Sequence, residues 1–525
     1  MNLRKKYLII AFLSVGVTCV LLYGCVKHPL DKTPNGQYTT GSFWRNQDDV
    51  VAGVMGIYNI LFVEDWIGHD LYAFDDQSDD ISVDGDHPDF KAIEQFNIDA
   101  TLQLIYITWP FAYEQIARSN NALIYIPKVP TMDSTVRNRS MGEAYFLRAY
   151  AYFVLSQIYG DVPIIVEKNA EDLNYNVPKS PVDSVRLQVE SDLLKAADLL
   201  PETYGDADKG RVSKGAAWGM LCKLYMFENR FDDAIKYGNF VINDPNYALS
   251  QNYADNFTFG VQESNTEILF AVWNADQDVP NIPASPIAIY FSPRAWQGWG
   301  FHHPTQNFAD EFEPADTIRK RATLLSVGDT IQYQQNTDVI SSDYANSYPI
   351  FAGRAGDTTG RMLPSMSLTG YCIRKYTGYK QSNGHLNTAL KQPLLRTADV
   401  YLLVAEAKIR KNGAGSGDAE INTVRQRAHL LPVSGAGINQ LIHERRVELG
   451  GENIRWQDLL RWDKANIINL DTIVGKPKTA SPLPPYNGET IVPGRTFVRP
   501  RDYYMPIPQE IIDESKGVIL QNPNY

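Results

Sequence analysis

Residues 142–165 read GEAYFLRAYAYFVLSQIYGDVPII, and no other stretch narrows the choice of fold as much. Ala144, Leu147, Ala151, Val154, Leu155 and Ile158 recur at intervals of three and four, which places one apolar stripe along a helix. Tyr145, Arg148, Tyr152 and Gln157 lie on the other side, so a second layer packs there through rings with polar ends. Such a helix is interior. Gly160 follows the last periodic residue, where a left-handed cap costs a glycine least, and Pro163 then bars renewed helix. The chain must exit sharply into an extended run at 163–166.

Helical periodicity returns through most of the chain. Val50, Val51, Val54, Ile57, Tyr58 and Leu61 keep it to about Phe62, and Trp109, Tyr113, Ile116, Asn120 and Leu123 mark a second long helix with one buried face. An amphipathic helix lies between Pro181 and Leu200. Residues 213–229 and 231–243 then form a hairpin with the length and Ala/Tyr placement of a tetratricopeptide repeat, packing through Ala217, Leu221, Tyr225 and Ala234. Such hairpins bury their faces only by stacking, here on the helices named above and on those expected at 394–411, 419–430, 438–449 and 453–464. No fixed period survives, so the pattern predicts an irregular, mainly α scaffold over about 41–245 and 393–470. Residues 246–392 differ: they are rich in Pro, Gly, Ser and Asn, with short strand-like runs at 268–273 and 371–376. Ligand-facing loops are expected there and at 475–502, a minor-β region beside the helices.

The amino terminus speaks to the compartment. Arg4, Lys5 and Lys6 precede an apolar run at 7–23, short for a membrane span, and Leu22-Tyr23-Gly24-Cys25 follows. Residues 1–24 are therefore expected to be a lipoprotein signal peptide, with Cys25 the acylated first residue and 25–40 a polar tether rich in turn residues. Cys222 and Cys372, with no CxxC or histidine partner, are expected to be buried free thiols. The formal net charge of −12 excludes ordinary electrostatic attraction to nucleic acid or anionic headgroups.

Chemical motifs are scarce. His443-Glu444-Arg445-Arg446-Val447 opens like a zinc-protease helix but has valine where the second histidine must stand, so no metal is expected. Residues 413–418 match neither a nucleophile elbow nor a dinucleotide loop, and no cofactor is expected. Asp80, Ser82, Asp84 and Gly85 open like a calcium loop, but position twelve is Lys91 rather than glutamate. The acidic stretch 75–86 is instead expected to be solvated, with an aspartate such as Asp76 accepting sugar hydroxyls. Arg445, Arg446, Glu448, Arg455, Asp458 and Arg461 resemble a charged active site, yet helical spacing favours internal ion pairs.

The strongest functional signal is Tyr290, Trp296 and Trp299 in YFSPRAWQGWGFHHP. Proline and glycine interrupt any regular element here, so the rings sit on a loop where burying all of them is hard; the alternative is that they merely pack it. Thirty tyrosines and nine tryptophans exceed what a core of this size needs. A pyranose stacks its C–H face on an indole while its hydroxyls find polar neighbours. Trp66, Tyr72 and Trp273 are further candidates for the same platform.

The 142–165 stretch resembles the SusD/RagB family of Bacteroidetes outer-membrane lipoproteins, whose members carry a similar helix ending in Tyr-Gly-Asp-Val-Pro. WPFAYEQIARSNNALIYI, RAWQGWGFHHPTQNFADEFE, LLRTADVYLLVAEA, ERRVELGGENIRWQDLLRW and YYMPIPQEIIDESKGVILQNPNY resemble the same family in the same order. The resemblance implies a SusD-like domain over 41–525. It further implies a cell-surface lipoprotein of the outer membrane that captures a glycan and acts as a lid on a SusC-like TonB-dependent transporter. Within the family the alternative ligand is a peptide, as for RagB-type members. A glycan-degrading enzyme is the alternative from another class, and no paired-carboxylate pattern reports one.

Overall fold

The computed structural model describes residues 43–63, 66–67, 70–84, 87–172, 174–258, 260–274, 287–293, 299–332, 359–377 and 390–525. Cys25, the tether and Trp296 lie outside the described residues. The long helices are α1 (Gln47–Tyr58), α2 (Gln103–Tyr125), α3 (Ser134–Ile158), α4 (Val182–Leu199) and the hairpin α5 (Lys214–Phe227) and α6 (Phe231–Ile242). After the loop-rich region come α7 (Thr397–Asn412), α8 (Asp418–Arg427), α9 (Ile438–Leu449) and α10 (Arg455–Lys464).

The interior helix predicted from its two faces is α3, which packs against α1, α2 and α4. It starts eight residues before the predicted stretch, because Asp133 accepts from the amides of Thr135 and Val136 and caps it. Its apolar stripe enters one large core that also takes residues from α1, α2 and α4–α7. The second face is closed by polar ends: Tyr152 Oη donates to the Ile165 carbonyl at 2.8 Å and accepts from its amide at 2.7 Å. Arg148, 1% exposed at its side chain, holds Asp192 at 2.8 Å and Glu167 at 2.9 Å. Gly160 has φ +73°, and a Cβ there would lie 3.0 Å from the Tyr504 ring, so the cap needs glycine for both conformation and space.

A second boundary differs from the sequence reading, which starts the second long helix at Trp109: α2 begins at Gln103, with Pro110 inside it. The burial of Leu104, Ile105 and Thr108 before it outweighs the lost amide bond. The hairpin also packs more tightly than its pattern implies: a Cβ on Gly238 would lie 2.2 Å from Val404 Cγ2 on α7 and 3.1 Å from Cys222 Sγ on α5. Cys222 and Cys372 are buried free thiols.

The strands form five two-stranded antiparallel sheets among the described residues. β1 (Ile81–Val83) pairs with β3 (His302–Pro304), placing Ser82 opposite His303. β2 (Ile268–Val272) pairs with β8 (Gln392–Arg396), and β4 (Leu324–Ser326) with β7 (Tyr371–Ile373). β5 (Thr330–Gln332) pairs with β6 (Thr359–Arg361), and β9 (Lys478–Thr479) with β10 (Thr490–Val492).

The acidic stretch overturns its reading as a solvated loop. Asp75, Asp76 and Asp80 are fully buried, around a helical turn and β1. Their burial is tolerable because cations arrive from distant segments. Arg446 meets Asp79 at 2.8 Å and Asp80 at 2.6 Å, and Arg455 meets Asp79 at 3.2 Å. Lys478 Nζ donates to the carbonyls of Asp76 and Ile81, and Arg495 to those of Gln77 and Ser78. Among the described residues no group of three or more His, Cys, Asp or Glu could hold a metal ion.

The charged run on α9 and α10 is internal. Arg445 joins Asp399 of α7 at 2.8 Å to Asp458 of α10 at 2.7 Å, and Arg461 holds Glu406 at 2.5 Å. These pairs tie α7, α9 and α10 together.

Candidate functional site

Residues 299–301 lie against the short helix Ile287–Phe291: the Trp299 amide donates to the Ile289 carbonyl and the Phe301 amide to the Tyr290 carbonyl. This pairing holds the Trp299 ring outward, where 45% of the residue is exposed. Tyr290 meets it edge to face with centroids 4.9 Å apart, and Phe301 lies 5.5 Å away. Phe301 stands 5.4 Å from Phe90, which stacks on His87 at 4.1 Å. Trp299 is thus the partly exposed end of a column of rings that supports it from beneath.

The other residues predicted for the platform are placed differently. Tyr290 is 2% exposed and serves as the prop of Trp299, so it offers no free face. Trp66 is wholly buried, and its indole N–H donates to Gln115 Oε1 at 2.9 Å; Gln115 in turn donates to the Leu147 carbonyl. It pins α2 to α3. Tyr72 is also buried, donating to Tyr376 Oη at 3.1 Å and meeting Phe291 at 5.0 Å. Trp273 is half-buried, with Gly210 against its ring and Lys391 Nζ 5.1 Å from its centroid. Asp76 faces His302 Nδ1 at 2.9 Å, and burial holds its carboxyl above the usual range. None of these five presents an open group beside Trp299. Tyr72 and Tyr290 are taken into a second core with Tyr253, Phe257, Phe291 and Tyr376, whereas Trp66 enters the main helical core.

Sequence reasoning missed Phe301 and Phe90, and it placed Asp84 only in a calcium-like pattern within the acidic stretch. Phe301 stands two residues from Trp299, across Gly300 with φ +59°, and the turn brings the two ring centroids within 5.5 Å. Asp84, whose amide donates to the Phe301 carbonyl, ends β1 with a carboxylate 26% exposed and 3.2 Å from His303 Nδ1. Among the described residues of the 75–86 stretch, it is the acid whose backbone bonds to the Trp299 segment.

A family model described as "SusD family" matches residues 266–525, and one described as "Starch-binding associating with outer membrane" matches residues 58–226. The chain belongs to the SusD/RagB family. A SusD-like protein of Bacteroides ovatus is 26% identical over 488 residues, covering 88% of this chain and 83% of the relative. Among solved structures, a SusD-like protein from Bacteroides fragilis superposes with a TM-score of 0.76 at 22% identity, covering 94% of this chain and 100% of that one. Surface glycan-binding protein A from Bacteroides thetaiotaomicron, solved in complex with laminarihexaose, superposes with a TM-score of 0.70 at 21% identity, covering 91% and 99%. This SusD family member shares their mainly α fold. No helix among its described residues is long and apolar enough to cross a membrane.

Proposed function

We propose that this SusD family protein captures an oligo- or polysaccharide and passes it, uncleaved, to a SusC-like TonB-dependent outer-membrane transporter. Cys25 is the lipid anchor of this reading, which places the protein at the cell surface. The single observation that carries it is the Trp299 indole, exposed yet propped by Tyr290 and Phe301. A ring fixed before binding stacks on the C–H face of a pyranose without the entropy cost of ordering a loose side chain. Trp296, three positions earlier in the sequence, is included in the reading as a second stacking ring, and Asp84 as an acceptor for sugar hydroxyls. Relatives of the same fold described as glycan-binding support the ligand class.

The test is calorimetric titration of the purified protein with laminari-, malto- and xylo-oligosaccharides and with mixed peptides, followed by chromatography of the bound sugar. Saturable binding of a glycan class with unchanged chain length is expected. Binding of peptides alone, or release of shorter sugars that depends on the protein, overturns the proposal.

A further inference from the structure

A cleft of about 80 Å³ opens between α3, α10 and the 502–505 segment, and Met220 and Lys223 of α5 also line it. At the ~15 Å³ that a water requires, it has room for roughly five waters, whose share of the liquid is about 150 Å³, the bulk of one benzene-sized solute. Phe153, Val154, Met220, Trp456, Leu460 and Met505 give it an apolar wall. The half-exposed Gln157 and Tyr503 mark its mouth.

Lys223 is the one cation of this lining among the described residues. It is 6% exposed, yet its ammonium makes a single hydrogen bond there, a long one of 3.4 Å to Asp399 Oδ2. An ammonium carries three N–H donors, and a buried donor without an acceptor forfeits its hydration. Asp399 does not depend on Lys223, because Arg445 holds its other oxygen at 2.8 Å. Nor is the charge balanced. Asp399, Asp458 and Glu406 meet four cations, Lys223, Arg445, Arg461 and Arg410, so this largely buried block holds one positive charge in excess.

The remaining charges of the lining are matched by other segments. Glu452 meets Lys375 at 2.7 Å and Arg396 at 2.8 Å, and Asp502 meets Arg501 at 2.6 Å. An occupant that suits the cleft therefore brings an anionic acceptor to Lys223 and an apolar body to the wall. We infer that the cleft binds one small monocarboxylate whose apolar body has about three to six carbons, with the carboxylate on Lys223. Trp299 is not part of this lining, and the inference does not rest on the glycan reading.

The test is calorimetric titration of the whole protein with butyrate, isovalerate and benzoate, and with the amides of the same shapes, to about 50 mM, beyond the millimolar Kd within reach of so few heavy atoms. Saturable binding of at least one acid is expected, about tenfold tighter than its amide or more, the scale of one charge-assisted hydrogen bond. This comparison uses the unaltered protein, so it decides even where a variant fails to fold. Lys223→Met, which keeps the length of the side chain and leaves Asp399 on Arg445, should remove the preference for acid. Val154→Phe, which fills the cleft, should abolish acid binding while oligosaccharide capture is kept. Absence of saturable acid binding, equal affinity for acid and amide, or acid binding that survives both variants unchanged overturns the inference. So does a crystal soaked with the acids in which water alone lies against Lys223.

Discussion

Tyr290 meets Trp299 edge to face, with centroids 4.9 Å apart and planes at 89°. One ring is buried and the other exposed, so equal truncations have opposite effects. Trp299→Ala should weaken glycan binding by about tenfold, the scale of one lost aromatic anchor, with little change in melting temperature. Tyr290→Ala should cost about 3–5 kcal/mol of stability by opening a cavity. Calorimetry and thermal melting of both variants check this. Early melting and normal binding by Trp299→Ala would place the platform elsewhere.

Burial pushes the Asp75 carboxyl up to about 8; one oxygen accepts from the Trp456 amide and the other has no hydrogen-bond partner among the described residues. The folded state therefore keeps a proton that the unfolded chain releases near 3.8. Between these values stability falls as pH rises, since the unfolded state binds fewer protons. Asp75→Asn should raise the melting temperature at pH 8 and leave it nearly unchanged at pH 4. Equal effects at both would refute the assignment.

Glu448 behaves in the reverse sense. Burial pushes its carboxyl up, but Arg427, Arg396 and Arg319 outweigh burial and hold it at about 2. The stability it contributes is present above its ordinary value near 4.5 and is lost as pH falls toward 2. Glu448→Gln should destabilise by about 3–5 kcal/mol at neutral pH, because it strands buried guanidiniums, and should flatten the acid limb of a stability profile measured by urea titration.

Cys25→Ser should move the protein from the membrane to the soluble fraction and abolish incorporation of labelled fatty acid. Unchanged fractionation and unlabelled wild-type protein would remove the anchor from the proposal.

Affinity capture from detergent-solubilised outer membranes should recover a large β-barrel partner with the wild-type chain. Recovery of the chain alone, under conditions that preserve such complexes, counts against delivery to a transporter.

What could be read in advance was whatever depends on near neighbours. The stripes of α3, its Gly160 cap and the pairing of Arg445 and Arg461 with Asp458 follow from spacings of one to four residues or from one helix following another, whereas their bonds to Asp399 and Glu406 of α7 do not. The placing of 75–84 does not, because a run of aspartates reads as solvated until its partners are known. Those partners, His302, Arg446, Arg455, Lys478 and Arg495, lie more than 200 positions away. Ile81 and Val83, alternating with serine, were the local sign of a strand. Trp66 and Tyr72 failed likewise: a ring beside acids reads as exposed until the distant core that takes it is known, the main helical core for Trp66 and the second aromatic core for Tyr72.

The separation of those acids from their cations bears on how the chain comes into being. Asp79 and Arg455 are 376 positions apart, so a ribosome adding ~5–20 residues per second delivers the carboxylates roughly 20 to 75 s before the guanidiniums. Until then the 75–80 segment cannot enter an apolar interior without stranding charge. A chain that stops short of Arg446 lacks the guanidiniums that Asp79 and Asp80 meet in the folded protein, so the two ends of the molecule are joined by charge as well as by apolar burial.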